Sequence, residues 1–167
     1  MANAILTRYG SKTTLTAALE GVASDTNLLT GVESSVIDNT TAGYTDILVS
    51  GFWKSGTSPT ASRQVEVWAI AWDGADFPDV FDGTTSAETI TNSDIKNSIC
   101  SPVAIMSTNA TSDRTYWFTG KSLREAFRVN ELPSKVVLFV THNTGVDSNA
   151  TAGNFELSYQ GVYPEVQ

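Results

Sequence analysis

The chain has 167 residues, 41% of them hydrophobic and 17% charged, with a formal net charge of −8. That length suits one domain with a core large enough to need no disulfide or metal, and the apolar share excludes a disordered polar chain. The acidic balance argues against a duplex or phosphate-backbone binder, which needs a basic footprint, and the lone Cys100 excludes an internal disulfide and any paired-cysteine zinc or redox motif. No stretch reaches the roughly 18 continuous apolar residues of a membrane span. The first eight residues lack a secretory pattern, so no membrane partner is expected and synthesis in a cytoplasm is. Three Asn-x-Thr triplets, at Asn39, Asn109 and Asn149, fit chance in a chain with 22 Thr, 18 Ser and 10 Asn. Thr favours strands while Ser and Asn favour turns, so this mixture predicts an all-β fold.

Residues 1–12 mix apolar side chains with Arg8 and precede the first confident strand. They read either as an extended N-terminal arm or as an edge strand folded back on the domain. Residues 13–19 alternate loosely, and 28–38 carry Leu29, Val32, Val36 and Ile37 among Ser and Thr. In 44–54 the alternation is clear, with Ile47, Val49 and Gly51 on one face and Leu48, Ser50 and Phe52 on the other. The segment 64–72 sets Val65, Val67, Ala69 and Ala71 on one face; its other face runs from Gln64 and Glu66 into Trp68, Ile70 and Trp72. Such a strand is buried on both sides at one end only. Further strands are predicted at 101–107, 115–120, 135–142 and 154–163. The run Val136-Val137-Leu138-Phe139-Val140 is apolar on both faces and reads as central. Turn residues crowd 55–60, Asp73-Gly74, Asp82-Gly83 and 144–149. Only 122–129 reads as a helix, with Ser122 as cap, Glu125 at the capping-box position, and Leu123, Ala126 and Phe127 on one face. Eight or nine strands with one short helix predict a single antiparallel β-sandwich over residues 1–167, jelly-roll-like.

The chemistry of an enzyme is sparse. The one histidine, His142, closes the apolar 136–140 strand, where an imidazole hydrogen-bonded to the next loop is expected rather than a catalytic base. No nucleophile elbow, phosphate loop or dinucleotide fingerprint occurs. Cys100 reads as a packing residue. Asp73, Asp76, Asp79 and Asp82 offer four carboxylates in ten residues, yet the spacing fails the EF-hand pattern; an acidic surface loop anchored by Phe77 and Phe81 is the reading. Trp53, Trp68, Trp72 and Trp117 are of a type that stacks on sugar rings, but their place inside alternating strands favours burial in the core or a subunit interface. No catalytic, cofactor-binding or metal-binding residue is assigned, and no cofactor is expected.

Several segments resemble motifs of a tailed-bacteriophage structural-protein family. They are Asn39-Thr40-Thr41 leading to Tyr44-Thr45-Asp46, Val49-Ser50-Gly51, Gly56-Thr57-Ser58-Pro59-Thr60-Ala61 and Gln64-Val65-Glu66-Val67-Trp68. Pro78-Asp79-Val80-Phe81-Asp82-Gly83, Ser86-Ala87-Glu88-Thr89-Ile90-Thr91, Thr111-Ser112-Asp113-Arg114-Thr115-Tyr116 and the run from Phe139 to Val146 continue the series in order. The resemblance implies a virion component and brings no catalytic or metal residues. The segment 121–132 departs from it: Arg124, Glu125, Arg128 and Glu131 make a charged stretch where a partner surface particular to this chain is expected.

A small acidic jelly roll without fibrous segments resembles capsid decoration (cement) proteins. The implied partners are the major capsid protein and further copies of the chain, as a trimer on the head surface of the virion. The alternatives are a tail, baseplate or head–tail joining component and a carbohydrate-binding adsorption module; a small glycan hydrolase is the remaining reading.

Overall fold

The computed structural model describes residues 5–166. The chain runs β1 (Ile5–Tyr9), β2 (Thr13–Leu15), β3 (Thr30–Glu33), β4 (Ile37–Asp38), β5 (Asp46–Lys54), β6 (Arg63–Ala71), β7 (Ala87–Thr89), α1 (Ser93–Ile99), β8 (Cys100–Thr108), β9 (Thr115–Ser122), α2 (Leu123–Phe127), β10 (Lys135–His142) and β11 (Phe155–Val166). Strand accounts for 46% and helix for 7%, so the protein is all-β.

Two antiparallel sheets form. One has the order β1-β11-β5-β9 with β2 also on β11, and the other β7-β3-β10-β6-β8 with β4 also on β10. β1 and β2 lie along one neighbour, as do β3 and β4 along another, so each pair is one broken strand. Strands then pair first with last and second with next-to-last, the wrapping of a jelly roll. The three strands expected to be interior, β5, β6 and β10, each have neighbours on both sides.

β10 explains the second feature of the architecture. Val136, Leu138 and Val140 face the core between the sheets. Val137 and Phe139 point the other way, into a second core with Ile70, Phe81, Ile90 and Cys100. Helix α1 and residues 73–90 cover that outer face, supplying Phe77, Val80, Ile95 and Ile99. A strand buried on both faces needs apolar side chains at both parities, which is the pattern of residues 136–140.

The structure adds elements and trims others. Helix α1 joins the expected α2: Asn92 caps it, accepting from the backbone N–H of Asp94 and Ile95 at 2.9 Å each. Residues 28–38 form two strands rather than one, because the Leu138 N–H goes to the Ser34 hydroxyl, the Ser35 N–H turns aside to the Thr16 carbonyl, and the register on β10 shifts by one residue before β4. Ser122 caps α2 as expected, its Oγ accepting from the Glu125 N–H at 3.0 Å. Residues 1–4 of the segment expected as an arm or edge strand lie outside the described residues. Ile5–Tyr9 pairs with the end of β11, from Ile5 opposite Val166 to Tyr9 opposite Val162.

Because β5 covers β11 only from Phe155 to Val162, the last residues of β11 and β1 continue as a two-stranded ribbon beyond the sandwich. It leaves from a definable end of the molecule. Residues 55–62 join β5 to β6 at the far end, so the start of β5, the end of β6, the start of β10 and the end of β11 share the near end. Helix α2 sits there too, since Asp46 at the start of β5 accepts from the Ser122 hydroxyl at 2.7 Å and the Arg124 N–H at 3.1 Å.

Candidate functional site

A concavity of about 710 Å³ opens at this α2 end. Trp72 follows β6, Lys135 opens β10, Asp38 ends β4, and the loop 73–83 brings Asp76, Phe77, Phe81 and Asp82 to the opposite wall. The lining mixes aromatic side chains with carboxylates and one lysine and is open to solvent, a polar surface concavity rather than an enclosed apolar ligand pocket. Phe81 holds the loop in place: it is 4% exposed and meets Phe139 edge-on, with centroids 5.5 Å apart.

The electrostatics of the pocket are acidic. Asp38 accepts at Oδ1 from both the N–H and the hydroxyl of Thr40, at 2.8 and 2.5 Å. Asp82 repeats the motif with Thr84 at 2.8 and 2.6 Å. The threonine hydroxyl and N–H bonds hold both carboxyls below the usual range, so each is ionised, and Oδ2 of each has no hydrogen-bond donor among the described residues. Asp76 is exposed and free of side-chain hydrogen bonds among the described residues. The cation lining the pocket, Lys135, lies with Nζ 4.5 Å from the centroid of the Trp72 ring. Such a stack is an attraction of ammonium to the ring face.

The four aspartates of the loop do not converge. Asp73 is engaged by the N–H of Ala75 and Asp76, and Asp79 by Thr91. Among the described residues, one acidic set does come together: Glu33, Asp82 and Glu88 place carboxylate oxygens within 4.8 Å of one another. Those three are the residues with the geometry to hold a cation. Glu33 is fully buried and accepts from the N–H of Gly83 at 2.8 Å and of Asp82 at 3.3 Å.

Burial raises the Glu33 carboxyl from 4.5 to about 7. The folded protein therefore keeps a proton that the unfolded chain releases near 4.5, and stability is lost as pH rises through that window. Glu33→Gln is expected to remove this loss. The stability of the variant relative to the parent should rise between about pH 5 and about pH 8, read by thermal melting of both proteins at each pH. A constant gap would contradict the assignment. The pairwise comparison cancels His142, whose lowered ring pKa works in the opposite sense: stability is lost as pH falls below 6.5.

His142 is fully buried, with Nε2 3.0 Å from the Val22 carbonyl and Nδ1 3.0 Å from the Thr144 hydroxyl. A carbonyl only accepts, so Nε2 carries the proton, and desolvation keeps the ring neutral. Both nitrogens are engaged inside the protein, Thr144 being in the next loop as the sequence suggested. Cys100 is buried and its thiol is pushed up to about 12 by desolvation, so it carries no thiolate near neutrality.

The tryptophans separate. Trp53 is 1% exposed in the core, while Trp68 and Trp72 are half-buried. Trp117 on edge strand β9 is 65% exposed, stacked obliquely on Phe52 with centroids 4.5 Å apart. Burial in the core or a subunit interface was expected from the alternation; within the single chain it is Phe118 that faces the core. The other exposed large apolar residues divide between Ile105 on β8 and a group at the α2 end: Ile5, Tyr9 and Val166 on the ribbon and Val129 after α2.

Comparison with known proteins finds no matching family model, no matching curated protein and no matching solved structure. Among the described residues no helix is long and apolar enough to cross a membrane.

Proposed function

We propose that this chain is a structural component of a tailed-bacteriophage virion: a decoration protein, made in the host cytoplasm, that clasps the outside of the assembled head as a trimer and stabilises it. The observation that carries the reading is the ribbon. Ile5 and Val166 are 72% and 64% exposed on a projecting pair of strands, with Tyr9, 60% exposed, at its base. The outer edge of β1 has no partner strand among the described residues. An exposed apolar ribbon with an open edge suits strand addition to another protein, where main-chain hydrogen bonds supply the contact and little sequence specificity is needed. The partner on this reading is the major capsid protein, and several ribbons per oligomer gain avidity from the regular spacing of shell subunits. The motif resemblance supports the virion assignment. The internally engaged His142 and the inert Cys100 agree with a role that involves no catalysis and no cofactor. The charge of −8 agrees with a partner other than nucleic acid.

The test uses heads that lack the protein. Added back, the full chain is expected to bind in hundreds of copies and to raise the heat resistance of the heads. Deleting residues 2–10 should leave the sandwich folded, because β2 still pairs with β11, while lowering the bound copies. Equal retention by both proteins removes the ribbon from the contact. Absence of binding by either favours the tail, baseplate or head–tail joining alternative, for which a few tens of copies per particle are expected.

One observation favours a second reading, an adsorption module for carbohydrate. The Trp117–Phe52 shelf adjoins Lys12, Ser50, Thr119 and Glu156, an exposed aromatic face beside hydrogen-bonding side chains, which suits a sugar ring.

A further inference from the structure

We propose that copies of this chain join through the α2 end, with Arg124 and Arg128 of one copy seated in the acidic aromatic pocket of the next. The inference rests on the self-association in the reading above, not on the capsid shell.

This end carries charges of both signs. The pocket presents Asp38, Asp76 and Asp82 against Lys135, which is stacked on Trp72. On the same end, Arg124 and Arg128 are exposed and in no ion pair among the described residues. Arg124 is on the single-turn helix and Arg128 caps it; Glu125 is rotated by about 100° from Arg124, and Glu131 lies beyond the turn. Arg128 closes α2 in the left-handed conformation at φ 56°, which ends the helix at that residue.

The chemistry of the pocket suits arginine. A guanidinium stacks on an aromatic face and takes a carboxylate with two parallel hydrogen bonds, and the pocket offers its carboxylates beside the half-buried Phe77. The carboxylates are fixed in advance: Asp38 and Asp82 are each clamped through Oδ1 by the following threonine, with Oδ2 free of donors among the described residues. Little ordering entropy remains to be lost on the pocket side.

A second copy is the occupant because both halves of the contact are on this chain, on one end, with apolar surface around them. Val129 is 41% exposed one residue beyond Arg128. Turning one copy about an axis through this end brings acid to base, and the charges fix the register while Val129 is covered and the ribbon is left free for the shell. The contact closes equally in a two-fold pair or a three-fold ring.

Charge exchange tests it by sedimentation velocity on the full chain, with circular dichroism to establish the fold. Asp76→Arg alone and Arg124→Glu with Arg128→Asp are each expected to weaken association by more than about tenfold and to leave the sandwich spectrum unchanged. Aspartate is used at 128 because it tolerates the left-handed conformation. The chain carrying Asp38→Lys, Asp76→Arg and Asp82→Lys together with both α2 changes should regain association, since every acid and base of the contact is then exchanged. Association of the parent should weaken with added salt. A monomeric parent at millimolar concentration, separate variants that keep the parent's mass, or a folded, fully exchanged variant that stays monomeric would each overturn the proposal. Loss of head binding by a normally associated protein would instead remove the decoration reading and leave this contact standing.

Discussion

Replacing Lys96 by methionine is expected to destabilise the protein by about 3–5 kcal/mol, the usual consequence of leaving a buried charge without its partner. Lys96 is on α1, and its Nζ lies 2.6 Å from Glu66 Oε2, with each side chain 6% exposed. The same ammonium donates to the Leu28 carbonyl at 2.7 Å and sits 4.7 Å from the centroid of the Trp68 ring. Glu66 is further satisfied by the Trp68 indole N–H at 2.8 Å and the Gln64 amide at 2.5 Å. With Lys96 removed, the Glu66 carboxylate stays on central strand β6, buried and lacking its cation. The double change of Lys96→Met with Glu66→Leu should recover much of the loss, because no unpaired charge is then left in the core. Denaturant midpoints of the four proteins in the cycle give the result. A single variant within about 1 kcal/mol of the parent would mean that the ion pair adds nothing to the attachment of α1.

Phe139→Ala is expected to cost about 3–5 kcal/mol, the range for truncating a fully buried phenylalanine. It also carries a local consequence. Phe139 is fully buried at the centre of the second core, and Phe81 leans edge-on against it. Truncation removes the support on which residues 73–83 rest, and with it one wall of the α2-end pocket. Hydrogen exchange should therefore accelerate in the backbone of that loop beyond the change expected from global destabilisation alone. Uniform acceleration across β5, β6 and the loop would show that Phe139 stabilises the whole sandwich without specially holding the pocket wall.

The two-faced apolar run 136–140 made β10 readable as a central strand, and its register explains why: alternate side chains enter two different cores. Ser122 and Glu125 made α2 readable, since a local cap needs only local residues. Helix α1 was not readable in the same way. Its seven residues, Ser93–Ile99, carry Ile95 and Ile99 as their only large apolar side chains, and its buried anchor is a lysine whose partner is 30 residues away. Its cap, Asn92, was a signal in the sequence, but a single cap before so short a run decides little. Half of the pocket was visible as the acidic loop with its phenylalanines. The other half, Asp38, Trp72 and Lys135, comes from three separate strand ends that only the jelly-roll wrapping brings together. The acidic set of Glu33, Asp82 and Glu88 is likewise a product of the fold, joining β3 to a loop 49 residues later. Trp117 shows the limit of alternation: on an edge strand the period identifies two faces but not which of them is covered.

The proposed station in the virion is tested most directly by a three-dimensional map of the phage particle that carries this protein. The account predicts density matching the two-sheet sandwich on the outer surface of the head, in groups around three-fold positions. The ribbon of Ile5–Tyr9 and the end of β11 should reach the shell, and the α2 ends of neighbouring copies should meet. Density for the sandwich confined to the tail or baseplate, or isolated copies on the head whose α2 ends face solvent, would contradict it.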